Sequence, residues 1–270
     1  MRGSIRYIIA LLIAGFSLIS YWCKREENEI TGETQHIDMT VEQEIALGLQ
    51  AAPQMAQQYG GLHSDPQATA KVKEIGQKLV SQTKAGQSPY QFDFHLLADE
   101  QTLNAFALPG GQVFITAGLL SKLQTEGQLA GVLGHEIGHV IARHSAEQLA
   151  KSRLTQGLAS AAGIAAYDPD RPASAAGAVA AAAIAKLMTL KYGRDDELES
   201  DKWAVRFTAD SGYDPTAMIG VMEILGASRN GAGSTPEFFQ THPNPENRIA
   251  QLQADIQEAF PNGVPAGLIK

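Results

Sequence analysis

Apolar and polar positions divide the chain into a leader, a helical front, a short stretch of alternation and a helical remainder. Arg2 and Arg6 precede an apolar run over Tyr7–Ile19, the charged-then-apolar order of an export leader, and the run is short for a membrane span. Residues 1–23 therefore read as a signal peptide or N-terminal anchor, and the polar residues 24–38 as a linker. From Thr40 the apolar period becomes helical. Thr40 and Gln43 form a capping box for a helix towards Tyr59, with Ile45, Leu49, Ala52 and Met55 inward. Asp65-Pro66 opens the next helix, with Val72, Ile75, Leu79 and Val80 inward. Over Gln91–Ala98 the pattern alternates, with Phe92, Phe94 and Leu96 on one side, which predicts a strand. Ala105–Leu108 and Gln112–Thr116 flank Pro109-Gly110-Gly111 as two extended segments about a turn.

Helical spacing returns at Thr125 and Gln128, a second capping box, and carries Leu129, Val132, Leu133, Ile137, Val140 and Ile141 on a broad apolar face. Gly131, Gly134 and Gly138 weaken this helix locally and suggest close backbone approach. Residues 151–190 are rich in Ala and Gly and read as two helices about residues 167–172, either packed tightly or forming a mobile lid. A helix then runs from the acidic stretch after Lys191 to about Ala209. Asp214-Pro215 opens another, with Met218, Val221, Met222 and Leu225 inward, followed by a loop over 226–236. Asn244-Pro245 caps a last helix with Ile249, Leu252 and Ile256 on one side. The pattern gives an α+β, mostly helical domain over 39–260 and a weakly ordered tail over 261–270.

Composition narrows the class. With 44% hydrophobic and 19% charged residues the chain can build a sizeable core, and a net charge of −8 with no basic stripe excludes nucleic acid as a partner. Cys23 is the only cysteine, so no intrachain disulfide exists. Its place after the apolar run raises lipid attachment, although Tyr21 and Trp22 are bulky where a lipidation signal wants small residues. The reading is an exported protein of the bacterial periplasm or the periplasmic face of a membrane, with peripheral or lipid-anchored membrane association open.

The chemistry lies in His135-Glu136-Ile137-Gly138-His139, an H-E-x-x-H pentad on the apolar helix. Residues four apart share a helix face, so His135 and His139 can hold one metal ion. Glu136, about 100° further round, stands where a general base belongs. Two histidines in a core helix can instead be satisfied core residues, but a pentad in this setting fits the zinc reading better. A catalytic zinc needs a third protein ligand and an open corner. Glu197 and Asp201, four apart on one helical face, can supply a ligand and a carboxylate for a histidine's outer N–H, with Glu197 the better ligand and Glu199 on the solvated opposite face. Val113-Phe114-Ile115 is either an ordinary core strand or one that also takes up an extended peptide. His242 is a loop histidine, an oxyanion donor or a group that masks the metal; Arg248 neutralises an oxyanion or pairs with an acid such as Asp201. His144 packs or bonds at the helix end, and His36, His63 and His95 are ordinary.

Four segments resemble the HtpX and CAAX-prenyl-protease family of zinc metallopeptidases, in the layout of its small, envelope-located members: 104–120, Gly134–Val140 with Arg143-His144, Arg194–Asp201 and Thr241–Arg248. The resemblance implies a gluzincin-like domain with a small sheet beside the pentad helix. It implies one zinc on His135, His139 and Glu197, Glu136 as base, and Asp201 supporting a ligand histidine. It also implies an edge strand over Gln112, Val113, Phe114, Ile115 and Thr116 that holds substrate. The chain departs from the family pattern at Gly193, where serine is usual, and at Ser200, where alanine is usual. The expected activity is zinc endopeptidase cleavage of misfolded or unassembled envelope proteins, with envelope assembly machinery as a candidate partner. The alternative is a chaperone-like assembly factor with a structural or latent zinc site.

Overall fold

The structure is a computed structural model that describes residues 2–165, 186, 191–230, 236–243 and 247–270. In chain order the elements are α1 (Arg2–Trp22), β1 (Arg25–Glu27), β2 (Thr34–His36), α2 (Val41–Gln58), α3 (Pro66–Ser81), β3 (Asp93–Leu97), β4 (Ala105–Leu108), β5 (Gln112–Thr116), α4 (Ala117–Leu120), α5 (Glu126–Ile141), α6 (His144–Ala165), α7 (Arg194–Asp210), α8 (Ala217–Asn230), α9 (Phe238–Thr241) and α10 (Arg248–Ala259). The domain is mostly helical with a small three-stranded sheet, and α5 runs through its centre.

Helix α5 is buried from Gly127 to Ile141 on every side, which explains why its sequence is apolar all round apart from the pentad. Thr125 caps it, accepting from the Gln128 N–H at 3.2 Å. Its glycines set how near its neighbours come. A Cβ on Gly138 would lie 3.1 Å from both the Cα and the carbonyl oxygen of Ser200, and one on Gly134 would lie 3.4 Å from Ala204 Cα. Two glycines thus let α7 lie directly on α5, which brings the acidic start of α7 to the histidines. Thr40 caps α2 with both arms of its capping box, and Asp65 caps α3. The inward face of α2 differs from the one its spacing suggested: Leu47, Gly48, Ala51 and Met55 are buried, whereas Leu49 is exposed. Buried Glu44 explains the shift, because it turns inward to pair with Arg143.

The sheet order is β3-β5-β4, with β5 parallel to β3 and antiparallel to β4. Gln112 to Thr116 therefore form the central strand, hydrogen-bonded on both sides and buried throughout. This corrects the expectation of an edge strand there: Gln112, Val113, Phe114, Ile115 and Thr116 have no free backbone edge to offer a peptide. The outer edge of β3 bonds to the neighbouring loop through His63 N–H to Leu96 O and Ala98 N–H to Gly61 O. At the other end of the sheet β4 pairs with β5 on one side only, and its four residues are buried.

The polar stretch after Trp22 is not a plain linker. β1 and β2 form an antiparallel hairpin, and its buried Asn28 and Gln35 side chains donate to the carbonyls of Ile141 and Ala142 at the end of α5. Arg143 then takes a left-handed φ of 54°, which stops α5 and lets α6 start at once. Its guanidinium is held by Glu44, Glu26 and the Met39 carbonyl. Helix α1 lies along α6 with Leu11, Leu12, Phe16, Ile19 and Trp22 exposed. No helix among the described residues is long and apolar enough to cross a membrane. Helix α8 continues through Gly226 to Asn230, further than expected. The predicted cap at Asn244-Pro245, and most of the Ala-rich stretch read as a second helix or lid, fall outside the described residues.

Candidate metal centre and active site

His135 and His139 occupy the last two turns of α5, where the helix dipole favours positive charge, and Glu197 occupies the first turn of α7, where it favours negative charge. His242 follows the short helix α9, whose Phe238 N–H bonds the Leu103 carbonyl. Tyr59 and Asn104 bond Glu237 at the start of that segment. Phe238 stacks on the His242 ring at 4.5 Å.

These elements bring four donors to one point, and all four residues are buried. His135 Nε2 is 3.0 Å from His139 Nε2 and 3.3 Å from His242 Nδ1. Glu197 Oε1 is 3.1 Å from His242 Nδ1 and 3.5 Å from His139 Nε2, and Glu197 Oε2 is 3.5 Å from His135 Nε2. Zinc bonds of about 2.0–2.1 Å to nitrogen and oxygen give a tetrahedron with edges of about 3.3–3.4 Å. The observed separations bracket that length, so the donors fit a zinc ion both in chemistry and in spacing. Buried charge agrees. Three acids, Glu136, Glu197 and Asp201, are buried about the cluster with one guanidinium, Arg248, a surplus of acidic groups that a bound cation would help to balance.

The surroundings tune each group. Asp201 Oδ1 lies 2.9 Å from His135 Nδ1, and Arg248 grips Asp201 with bonds of 2.6 and 2.8 Å while lying 2.9 Å from Glu197 Oε2. Arg248 thus pairs with the acids Asp201 and Glu197. Burial disfavours charge on His135, but hydrogen bonds to Asp201 and Glu197 outweigh it and push the imidazole up to about 9 by the protein's charges alone. A cation on Nε2 would occupy the same electrostatic place as that proton. Burial holds His139 well below the ordinary histidine range. Burial would raise Glu197, yet His242 and Arg248 keep it well below the carboxylate range. Glu136 is pushed up, chiefly by burial. Its carboxylate is fully buried, and neither oxygen has a hydrogen-bond partner among the described residues. His242 Nε2 lies 3.6 Å from Glu136 Oε1.

Sequence patterns missed Glu199 and Tyr192 and gave His144 only as a residue that packs or bonds at the helix end. His144 Nδ1 lies 2.8 Å from His139 Nδ1, and Glu199, expected in solvent, lies 3.2 Å from His144 Nε2. Tyr192 stacks on His139 at 3.8 Å and bonds Ser145 Oγ at 3.0 Å. A histidine five places beyond the second ligand was the available signal for His144 and Glu199; nothing in the local pattern marks Tyr192.

The description of peptidase family M48 matches residues 66–256, most of the chain. The chain belongs to peptidase family M48. It is a metalloendopeptidase of that family. It is 28% identical over 256 residues to the mitochondrial metalloendopeptidase OMA1 of Schizosaccharomyces pombe, covering 94% of this chain and 73% of that protein. A putative beta-barrel assembly-enhancing protease of Vibrio cholerae is 31% identical over 228 residues, covering 83% of this chain and 46% of its own length. The beta-barrel assembly-enhancing protease of Escherichia coli K12 is 29% identical over 203 residues, covering 74% and 41%. The chain thus spans less than half of these bacterial relatives. The resemblance read from the sequence holds at the level of M48, with relatives of this kind rather than HtpX or CAAX proteases in particular.

Proposed function

We propose that this M48 metallopeptidase uses one zinc ion, held by His135, His139 and Glu197, to cleave unassembled or misfolded polypeptides of the bacterial envelope. The observation that carries the reading is Glu136, a fully buried carboxylate with no hydrogen-bond partner among the described residues, set beside a four-donor cluster. Such an acid costs stability and has no use in a purely structural zinc site. Zinc, when bound there, supplies Lewis acidity towards a peptide carbonyl and lowers the pKa of water. Glu136 takes the proton of the attacking water and returns it to the leaving amine nitrogen. Asp201 keeps the His135 proton on Nδ1, so that Nε2 faces the ion. Arg248 holds Asp201 in place and balances its charge. β4, paired on one side only, is the candidate strand for aligning an extended substrate.

His242 is the fourth donor of the cluster and would compete there with a substrate carbonyl or water for the ion. We read it as a resting form. Two features support the envelope assignment: the leader-like charge and apolar order of residues 1–23, and the name of the bacterial relatives, which speaks of β-barrel assembly. Barrels of that kind belong to outer membranes.

Casein digestion with and without a zinc chelator tests the activity, and chelation should abolish it. His242→Ala should raise casein cleavage about tenfold if the closed form holds about nine-tenths of the molecules. A fall in cleavage would assign His242 to the oxyanion instead.

A further inference from the structure

The two ligand histidines are supported differently. His135 Nδ1 faces the Asp201 carboxylate directly, at 2.9 Å, and that carboxylate is buried and clamped by Arg248. His139 Nδ1 faces no carboxylate. It lies 2.8 Å from another imidazole, that of His144, and His144 Nε2 lies 3.2 Å from Glu199 Oε2. His139 and His144 are buried, whereas the Glu199 side chain is 24% exposed.

The protons on this chain of groups are determined by its chemistry. If His139 Nε2 is a metal donor, its ring proton must sit on Nδ1, because a neutral imidazole carries one N–H. Among the described residues the partner of that N–H is His144 Nδ1, which must therefore accept. The His144 proton is then forced to Nε2, where it meets Glu199. Ser200 Oγ lies 3.4 Å from the same His144 nitrogen, too far to compete with a contact of 2.8 Å. The backbone builds this arrangement on purpose-made geometry. The left-handed Arg143, pinned by Glu44, Glu26 and the Met39 carbonyl, turns the chain so that His144 begins α6 pointing back at His139.

We propose that His144 and Glu199 are positioning residues forming a hydrogen-bond relay, which fixes His139 as an Nε2 donor and sets how tightly the centre holds its metal. The proposal rests on the zinc reading above. It gives the centre one rigid, buried support through Asp201 and one relayed support that ends at solvent. Polar contact at Glu199, or its loss, reaches the metal through two imidazoles.

The test is zinc affinity of the full chain, measured by chelator competition and independent of peptidase activity. His144→Phe keeps the ring and its packing but removes the acceptor, and it should weaken zinc binding about 10- to 100-fold. His144→Asn restores an acceptor near the position of Nδ1 and should recover most of that loss. Glu199→Ala, at a partly exposed position that folding tolerates, should weaken binding about three- to tenfold, a share of the same effect. Nitrogen-15 spectra of the zinc-loaded parent should show His144 protonated at Nε2. Parent-like affinity in His144→Phe, equal losses in the Phe and Asn variants, or His144 protonated at Nδ1 each overturns the relay. If His144→Phe fails to fold, Glu199→Ala decides alone: weaker binding supports the relay and parent-like affinity overturns it. A parent chain that binds no zinc overturns the peptidase reading and the relay together, whereas a zinc-binding parent with unaffected variants overturns the relay only.

Discussion

Glu136→Gln should lower kcat/KM for peptide cleavage at least 10²–10⁴-fold, the usual contribution of a positioned general base, while leaving zinc in place. Gln preserves the volume of Glu and can still accept a hydrogen bond, but it cannot take a proton. None of the four clustered donors belongs to residue 136, so the metal-binding geometry is untouched. The carboxylate is buried and its pKa is raised chiefly by burial, with the nearby charges of His242 and His135 pulling it back. That balance suits a group that must both accept and return a proton. A fluorogenic peptide assay beside metal analysis separates the two effects. Undiminished cleavage by the variant would remove Glu136 from the mechanism.

Arg248→Leu should cost about 3–5 kcal/mol of stability, the penalty for leaving a buried partner charge unpaired. Arg248 is fully buried, makes two hydrogen bonds to Asp201 and lies 2.9 Å from Glu197 Oε2, so its loss leaves two buried carboxylates sharing His135 as a remaining partner. Exposed ion pairs are screened and contribute little, but both side chains of this one are buried. The planar fork matters as well as the charge, so Arg248→Lys should recover only part of the loss. Urea unfolding of the zinc-free proteins measures the difference. A loss below about 1 kcal/mol would mean that Arg248 is not the counter-charge of this cluster.

How far the sequence alone reaches is clearest residue by residue. His135, Glu136 and His139 are legible because a helix imposes their relation locally, through a 3.6-residue period. The caps at Thr40, Asp65 and Thr125 are legible for the same reason, since each involves partners two or three residues apart. Glu197 and Asp201 needed chemical demand as well as spacing: a third donor had to exist, and two acids four apart on one face offered it. The order of the strands was not legible. The hairpin between β4 and β5 is a local event, but the parallel pairing of β3 with β5 is a long-range one, and it turned the expected edge strand into the central strand. The inward face of α2 was misplaced because a buried Glu44 with its Arg143 partner reads as solvated when only hydropathy is counted. Asn28 and Gln35 were hidden likewise, polar residues whose partners are backbone carbonyls more than a hundred positions away. His242 shows the same limit, since its alternatives could not be separated without the position of α9.

The account turns on whether His135, His139 and Glu197 hold a single zinc ion. Metal analysis of the purified full chain, with Glu197→Ala and Glu136→Gln in parallel, tests this most directly. The account predicts one zinc per chain in the parent and in Glu136→Gln, as expected of a catalytic zinc with three protein ligands, and loss of zinc in Glu197→Ala. Parent-level zinc retained against a chelator by Glu197→Ala would contradict it.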